Sequence, residues 1–177
     1  MSVDGMRLRV RIEGKGSPLL LVMGLGGNVE MWRPLLDAMD GRQTIAFDAP
    51  GTGESDLPRR PLRMTDLAGI AGELLDQLGH QRVDVLGVSF GGAVAQQLAI
   101  QDPRRVRRLV LAATTCGLGG IPGNPLTMAI LLTPLRYYSK RYLELVGPYL
   151  YGHGADDGRL VRQQAVARLH RPPSLAG

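Results

Sequence analysis

Disulfides, metals and membrane spans all lack the residues they would need in this chain. Of its 177 residues one is cysteine, Cys116, so no disulfide forms within the chain, which agrees with a reducing compartment. Histidines number three, and no Cys/His cluster has the spacing of metal ligands; neither a metal nor another cofactor is expected. No apolar run approaches the roughly 18 to 20 residues of a membrane span, and the start MSVDGMRLRV lacks the basic-then-apolar order of a secretory signal. A cytoplasmic protein without a membrane span is the expectation.

What is present suits a compact globular unit, with 44% hydrophobic and 21% charged residues. The net charge is +5, and its densest contribution is Arg104, Arg105, Arg107 and Arg108, between an apolar helix and an apolar strand. That placement reads as a solvated connecting loop, so no nucleic-acid partner is expected.

Strand-like and helix-like runs alternate along the chain. Arg7 to Ile12 has the period-2 pattern of a half-exposed strand, whereas Leu19 to Met23 is continuously apolar, as in a strand buried on both faces. A helix is predicted over Glu30 to Met39, a strand over Gln43 to Phe47, and a helix from an N-cap at Thr65 to Leu78, ended by Gly79. Val83 to Val88 is the most buried-looking strand, followed by a small-residue helix over Gly91 to Ile100 and a strand over Arg108 to Ala113. This order predicts a doubly wound α/β sheet. From Gly117 onward Gly, Pro and Tyr become frequent; a mostly helical layer is predicted there, with helices over Met128 to Leu132 and Arg136 to Val146.

The motif that carries chemistry is Gly87-Val88-Ser89-Phe90-Gly91, a G-x-S-x-G pattern. Its glycines fall where a buried strand ends and a small-residue helix begins, as a tight strand-to-helix elbow requires, because a Cβ at Gly87 or Gly91 would crowd the turn. Such an elbow lifts the Ser89 hydroxyl above the sheet as a nucleophile and leaves the Phe90 N–H at a helix N-terminus, where an oxyanion is favoured. A second donor, the Leu25 N–H, is expected from the turn Met23-Gly24-Leu25-Gly26-Gly27. The competing reading makes Ser89 a helix cap and Gly24 to Gly27 an ordinary turn.

Through Gly24 to Gly27, Phe47-Asp-Ala-Pro-Gly-Thr-Gly-Glu-Ser55 and the Ser89 elbow, the sequence resembles the α/β-hydrolase superfamily. Within it, Ile45-Ala-Phe-Asp-Ala-Pro-Gly51, Gly87-Val-Ser-Phe-Gly-Gly-Ala-Val-Ala-Gln-Gln97, Leu109-Val-Leu-Ala-Ala-Thr114, Ile121-Pro-Gly-Asn-Pro125 and Tyr149-Leu-Tyr-Gly152 are similar to the intracellular poly(3-hydroxyalkanoate) depolymerases. The resemblance implies a mostly parallel sheet of the α/β-hydrolase type, a core over residues 1–116 and the beginning of a helical lid over 117–177. It also implies a serine hydrolase acting on medium-chain polyester, with an association with storage granules. Where that family has Trp after its nucleophile, this chain has Phe90.

The resemblance places the catalytic acid and histidine beyond the lid, so the chain is expected to stop before both, to lack the last strands, and to have little activity alone. Asp156 or Asp157 with His170 would give the usual order Ser, Asp, His, but Gly147-Pro-Tyr-Leu-Tyr151 before them lacks a β-branched strand pattern. His80 and His153 read as surface or lid residues, Asp48 as an aspartate bonding its own turn, and Trp32 and Phe47 as core. Asp84 begins the nucleophile strand, at the wrong end for catalysis, and Cys116 has neither elbow nor partner. The Arg108 to Ala113 strand is expected to show an open apolar edge. A small-ester carboxylesterase and a non-catalytic remnant remain the alternatives to a polyester hydrolase.

Overall fold

The computed structural model of the protein describes residues 1–116, 124–133, 135 and 139–151. A small hairpin, β1 (Ser2–Val3) with β2 (Met6–Arg7), precedes a five-stranded sheet. That sheet contains β3 (Val10–Glu13), β4 (Ser17–Val22), β5 (Arg42–Phe47), β6 (Val83–Val88) and β7 (Val106–Ala112) in the spatial order β3-β5-β4-β6-β7. β3 runs antiparallel to β5, and every other pairing is parallel. The expected α/β class and mostly parallel sheet are therefore observed.

The continuous apolar run of β4 has a direct cause. Leu20 and Val22 point into a core shared with α2 (Met64–Gln77) and α3 (Phe90–Gln101), while Leu19 and Leu21 point the other way, onto Trp32 and Leu36. Both faces of a central parallel strand are thus covered, and each fully buried Leu or Ile contributes on the order of 1.5 to 3 kcal/mol. Trp32 and Phe47 are 4% and 5% exposed, which makes both core residues, as expected.

Several boundaries differ from the sequence reading. Arg7 to Ile12 is not one strand: β2 ends at Arg7, Leu8 is buried in the core with its N–H donating to the Met1 carbonyl, and β3 begins at Val10. The helix expected over Glu30 to Met39 is a 3-10 turn, Val29–Trp32, followed by the short α1 (Arg33–Asp37). Pro34, at the start of α1, has no N–H to continue the preceding turn and restarts the helix. The cap of α2 is Arg63 rather than Thr65; the Asp66 carboxylate accepts the Arg63 N–H at 2.9 Å.

The arginine run is also not a plain solvated loop. Arg107 and Arg108 lie within β7; Arg107 clamps Asp84, and Arg105 pairs with Asp102 and Asp76 and donates to the His80 carbonyl at 3.2 Å. Beyond β7, α4 (Pro125–Leu132) packs against α5 (Lys140–Tyr151). Both helices start at other residues than expected. The segment Gly147 to Tyr151 lies in α5, a helix rather than a strand, and Asp156, Asp157, His153 and His170 lie outside the described residues.

Candidate active site

The sheet order decides where a crevice opens. β4 and β6 are parallel neighbours, yet the chain leaving β4 enters α1 on one face and the chain leaving β6 enters α3 on the other. Connections that diverge in this way leave a gap at the carboxyl ends of the two strands, the usual ligand position in a doubly wound sheet.

Ser89 stands at that gap. It follows the last residue of β6 and precedes the first of α3, with φ 54° and ψ −122°, a backbone conformation that costs an L residue about 1 to 3 kcal/mol. Its N–H donates to the Ala112 carbonyl at 2.9 Å and its carbonyl accepts the Gly92 N–H at 2.9 Å, so both neighbours hold the strained geometry. The side chain is exposed and makes no capping hydrogen bond to α3. The helix-cap reading of Ser89 therefore fails.

The flanking glycines are explained by contacts with backbone. A Cβ on Gly87 would lie 2.5 Å from the Gly91 carbonyl oxygen and 2.6 Å from the Gly92 Cα; one on Gly91 would lie 2.2 Å from the Val22 carbonyl oxygen. β6, α3 and the end of β4 consequently meet at closer range than any side chain permits. Sequence reasoning missed Gly92, whose Cβ would run 2.6 Å from Thr114 Cγ2 just past β7; nothing in a second glycine after the elbow marks that partner.

The turn after β4 closes on the same point. A Cβ at Gly24 would lie 3.2 Å from Ser89 Cβ and 3.7 Å from its Oγ, and Leu25, the next residue, is half exposed. The Gly27 N–H donates to the Gly24 carbonyl at 3.0 Å, which makes the turn tight. The Ser89 elbow and the Leu25 turn, expected together from sequence, are thus adjacent, and Phe90, 36% exposed, begins α3 beside them.

Asp48 leaves the end of β5 and is fully buried. Its carboxylate accepts the Val29 N–H at 2.7 Å and the Glu54 N–H at 2.9 Å, and its own carbonyl accepts the Ser55 hydroxyl at 2.7 Å. Burial pushes its carboxyl above the ordinary value, opposed by those two N–H groups and by Arg9. The expected structural role holds, and it extends to Val29 across the fold.

Among the described residues the sole histidine is His80, beyond the end of α2. The six residues of β6 separate it from the Ser89 end by about 20 Å, at roughly 3.3 Å per residue. Asp84 lies at that far end too, its carboxylate held well below the ordinary range by hydrogen bonds from Arg107 and Arg42. Cys116 is exposed. No group of three or more His, Cys, Asp or Glu among the described residues is arranged to hold a metal, and no described helix is long and apolar enough to cross a membrane.

Against known proteins, a family model described as alpha/beta hydrolase fold matches residues 17–173. The poly(3-hydroxyalkanoate) depolymerase of Ectopseudomonas oleovorans is 41% identical over 170 residues, 93% of this chain and 60% of that protein. The crystal structure of a hydrolase from Pseudomonas aeruginosa PA01 superposes with a TM-score of 0.75 at 30% identity, over 98% of this chain and 67% of that one. The N-acyl homoserine lactonase AidH, complexed with N-butanoyl homoserine, gives a TM-score of 0.68 at 26% identity, over 92% of this chain and 64% of that one. The chain thus spans about 60% of the length of its depolymerase relative.

Proposed function

The chain belongs to the alpha/beta hydrolase family, and from that premise we propose that it carries the nucleophile side of a serine ester hydrolase. The observation that carries the reading is the backbone of Ser89, held at φ 54° between two glycines with its hydroxyl unused by the helix it precedes. A strained residue with an exposed hydroxyl, at the carboxyl ends of parallel strands, suits attack on an ester carbonyl.

In this mechanism Ser89 Oγ attacks the carbonyl carbon, and the Phe90 and Leu25 N–H groups stabilise the oxyanion. The acyl group passes to Ser89, the alcohol leaves, and water then releases the acid. Each donor is worth about 3 kcal/mol in the transition state. A general base must take the Ser89 proton; among the described residues His80 lies too far away to do so. The 177-residue chain alone is accordingly proposed to be slow, with about 10³ to 10⁴ of acceleration over water from donors and binding.

The substrate proposed is a medium-chain polyhydroxyalkanoate, which the likeness to the Ectopseudomonas oleovorans depolymerase supports over 93% of the chain. Action in the cytoplasm on storage granules, a core over residues 1–116 and a lid beginning at 117 belong to the same proposal. A small ester or lactone is the second reading, favoured by the likeness to the lactonase. Hydrolysis of a short aryl ester and of a polyester suspension, each with imidazole as an external base and with Ser89→Ala as control, tests both readings. Ser89-dependent release from the suspension supports the polyester, and release from the aryl ester alone the small substrate. Hydrolysis unchanged in Ser89→Ala overturns both.

A further inference from the structure

We propose that Asp48 is a positioning residue for the oxyanion-binding turn: its buried carboxylate fixes Val29 and thereby sets the place of the Leu25 N–H beside Ser89. The proposal rests on the serine-nucleophile reading above. Asp48 touches no reacting atom and acts through the backbone it holds.

The geometry runs along one short path. One carboxylate oxygen accepts the Val29 N–H at 2.7 Å and the other the Glu54 N–H at 2.9 Å, so the loop after β5 and the segment after β4 share one buried anion. Asn28 closes the next step, its side-chain oxygen accepting the Glu30 N–H at 3.1 Å. The Gly27 to Gly24 hydrogen bond at 3.0 Å then completes the turn, and Gly24 lies against Ser89. Four residues, Leu25 to Asn28, lie between the clamped Val29 and the Ser89 contact at Gly24, leaving little slack for Leu25 to drift.

The loop after β5 is shaped to admit this carboxylate. A Cβ at Gly53 would fall 2.0 Å from the Asp48 oxygen that serves Glu54, and Gly53 has φ +53°, so glycine meets a steric and a conformational demand at once. A second hold on the same segment comes from Glu30, which pairs with Arg9 and with Arg11 from β3. An aspartate needed only for its own turn would have no use for a partner nineteen residues earlier in the chain.

Displacing an oxyanion donor lowers kcat by about 10²- to 10³-fold when the donor is lost, and by on the order of 10²-fold for a shift near 1 Å. Asp48→Ala and Gly53→Ala reach the clamp by separate routes. Asp48→Asn keeps an oxygen for Val29, and Ser55→Ala loosens the same loop while leaving the carboxylate alone. Two readouts on the full chain decide the matter: hydrogen exchange of the amides from Leu25 to Met31, and kcat and KM for Ser89-dependent aryl-ester hydrolysis with imidazole. The expected result is exchange at least tenfold faster over Leu25 to Met31 in Asp48→Ala and Gly53→Ala. With it, kcat falls at least tenfold and KM stays within about twofold; Asp48→Asn recovers most of both, and Ser55→Ala shows neither. Exchange that quickens only over residues 51–56, or equally in Ser55→Ala, overturns the proposal, as does an unchanged kcat. If no variant folds except Asp48→Asn and Ser55→Ala, wild-type-like exchange and kcat in Asp48→Asn support the clamp, and a loss there equal to that in Ser55→Ala overturns it. Wild-type hydrolysis that does not depend on Ser89 sinks the nucleophile reading instead, and the exchange pattern alone then shows whether Asp48 holds the turn.

Discussion

The two ends of β6 are built on opposite plans. Near its start Asp84 is buried, yet receives two hydrogen bonds from Arg107 at 2.7 Å each and another from Arg42, so its charge is fully answered. Just past its end Ser89 is exposed, strained and without a cap bond. One short strand thus runs from a buried carboxylate answered by two arginines to an exposed hydroxyl that makes no capping bond. Buried charge is tolerated where it is paired, and strain is tolerated where the surrounding backbone enforces it. The pairing of β6 with β7 that brings Arg107 to Asp84 also brings the Ala112 carbonyl to the Ser89 N–H.

The strongest way to break this contrast is at the crossing itself. Gly91→Ala would force a Cβ to within 2.2 Å of the Val22 carbonyl and 2.5 Å of the Met23 carbonyl, both backbone. Since neither strand nor helix can give way, a loss of at least about 3 kcal/mol is expected, read by urea unfolding.

At the paired end, Asp84→Asn is expected to cost about 2 kcal/mol, less than a wholly buried pair because Arg42 and Arg107 are 25% and 36% exposed and reach water. Acid sharpens the test. The folded Asp84 carboxyl lies below its ordinary 3.8, so its contribution is complete above that value and is lost as pH falls below it. Asp48 has the opposite sign: its carboxyl is raised by burial, so its ionisation removes stability as pH rises above 3.8. Wild-type stability should therefore drop on acidification below about pH 4, and Asp84→Asn should flatten that drop, as measured by urea unfolding at successive pH values.

At the strained end, Ser89→Gly is expected to raise stability by about 1 kcal/mol, because glycine adopts φ 54° without the penalty. Ser89→Ala keeps the penalty and should leave the unfolding midpoint unchanged. A destabilised Ser89→Gly would show that the elbow is not strained. The smallest effect is expected at β7, the last strand of the sheet among the described residues, where Val110 and Leu111 are 52% and 41% exposed. Val110→Thr should change stability by less than about 0.5 kcal/mol, and reduced self-association in sedimentation would show that this edge is open, as the sequence suggested.

Legibility followed the strength of local constraint. Val83–Val88 was read to the residue because its apolar run, interrupted only by Asp84 near the start, suits a strand buried on both faces, and the elbow glycines were legible because their spacing brackets a serine at a strand end. The Asp48 clamp was half legible: the turn chemistry pointed to an aspartate bonding nearby backbone, but its bond to Val29 depends on β4 and β5 being neighbours, which no local pattern encodes. The same holds for the arginine run, where Arg107 and Asp84 meet only because β6 and β7 pair with a shift in register between Val83 and Asp84. The break at Leu8 was missed since its apolar side chain fits the period-2 pattern as well as it fits the core beneath the hairpin.

The most direct test of Ser89 as nucleophile is labelling of the folded chain with a fluorophosphonate, with and without imidazole, read by intact mass and peptide mapping. The expected result is a single adduct on Ser89, faster with imidazole and absent in Ser89→Ala. An adduct that persists in Ser89→Ala, or a folded chain that imidazole leaves unlabelled, would contradict the assignment.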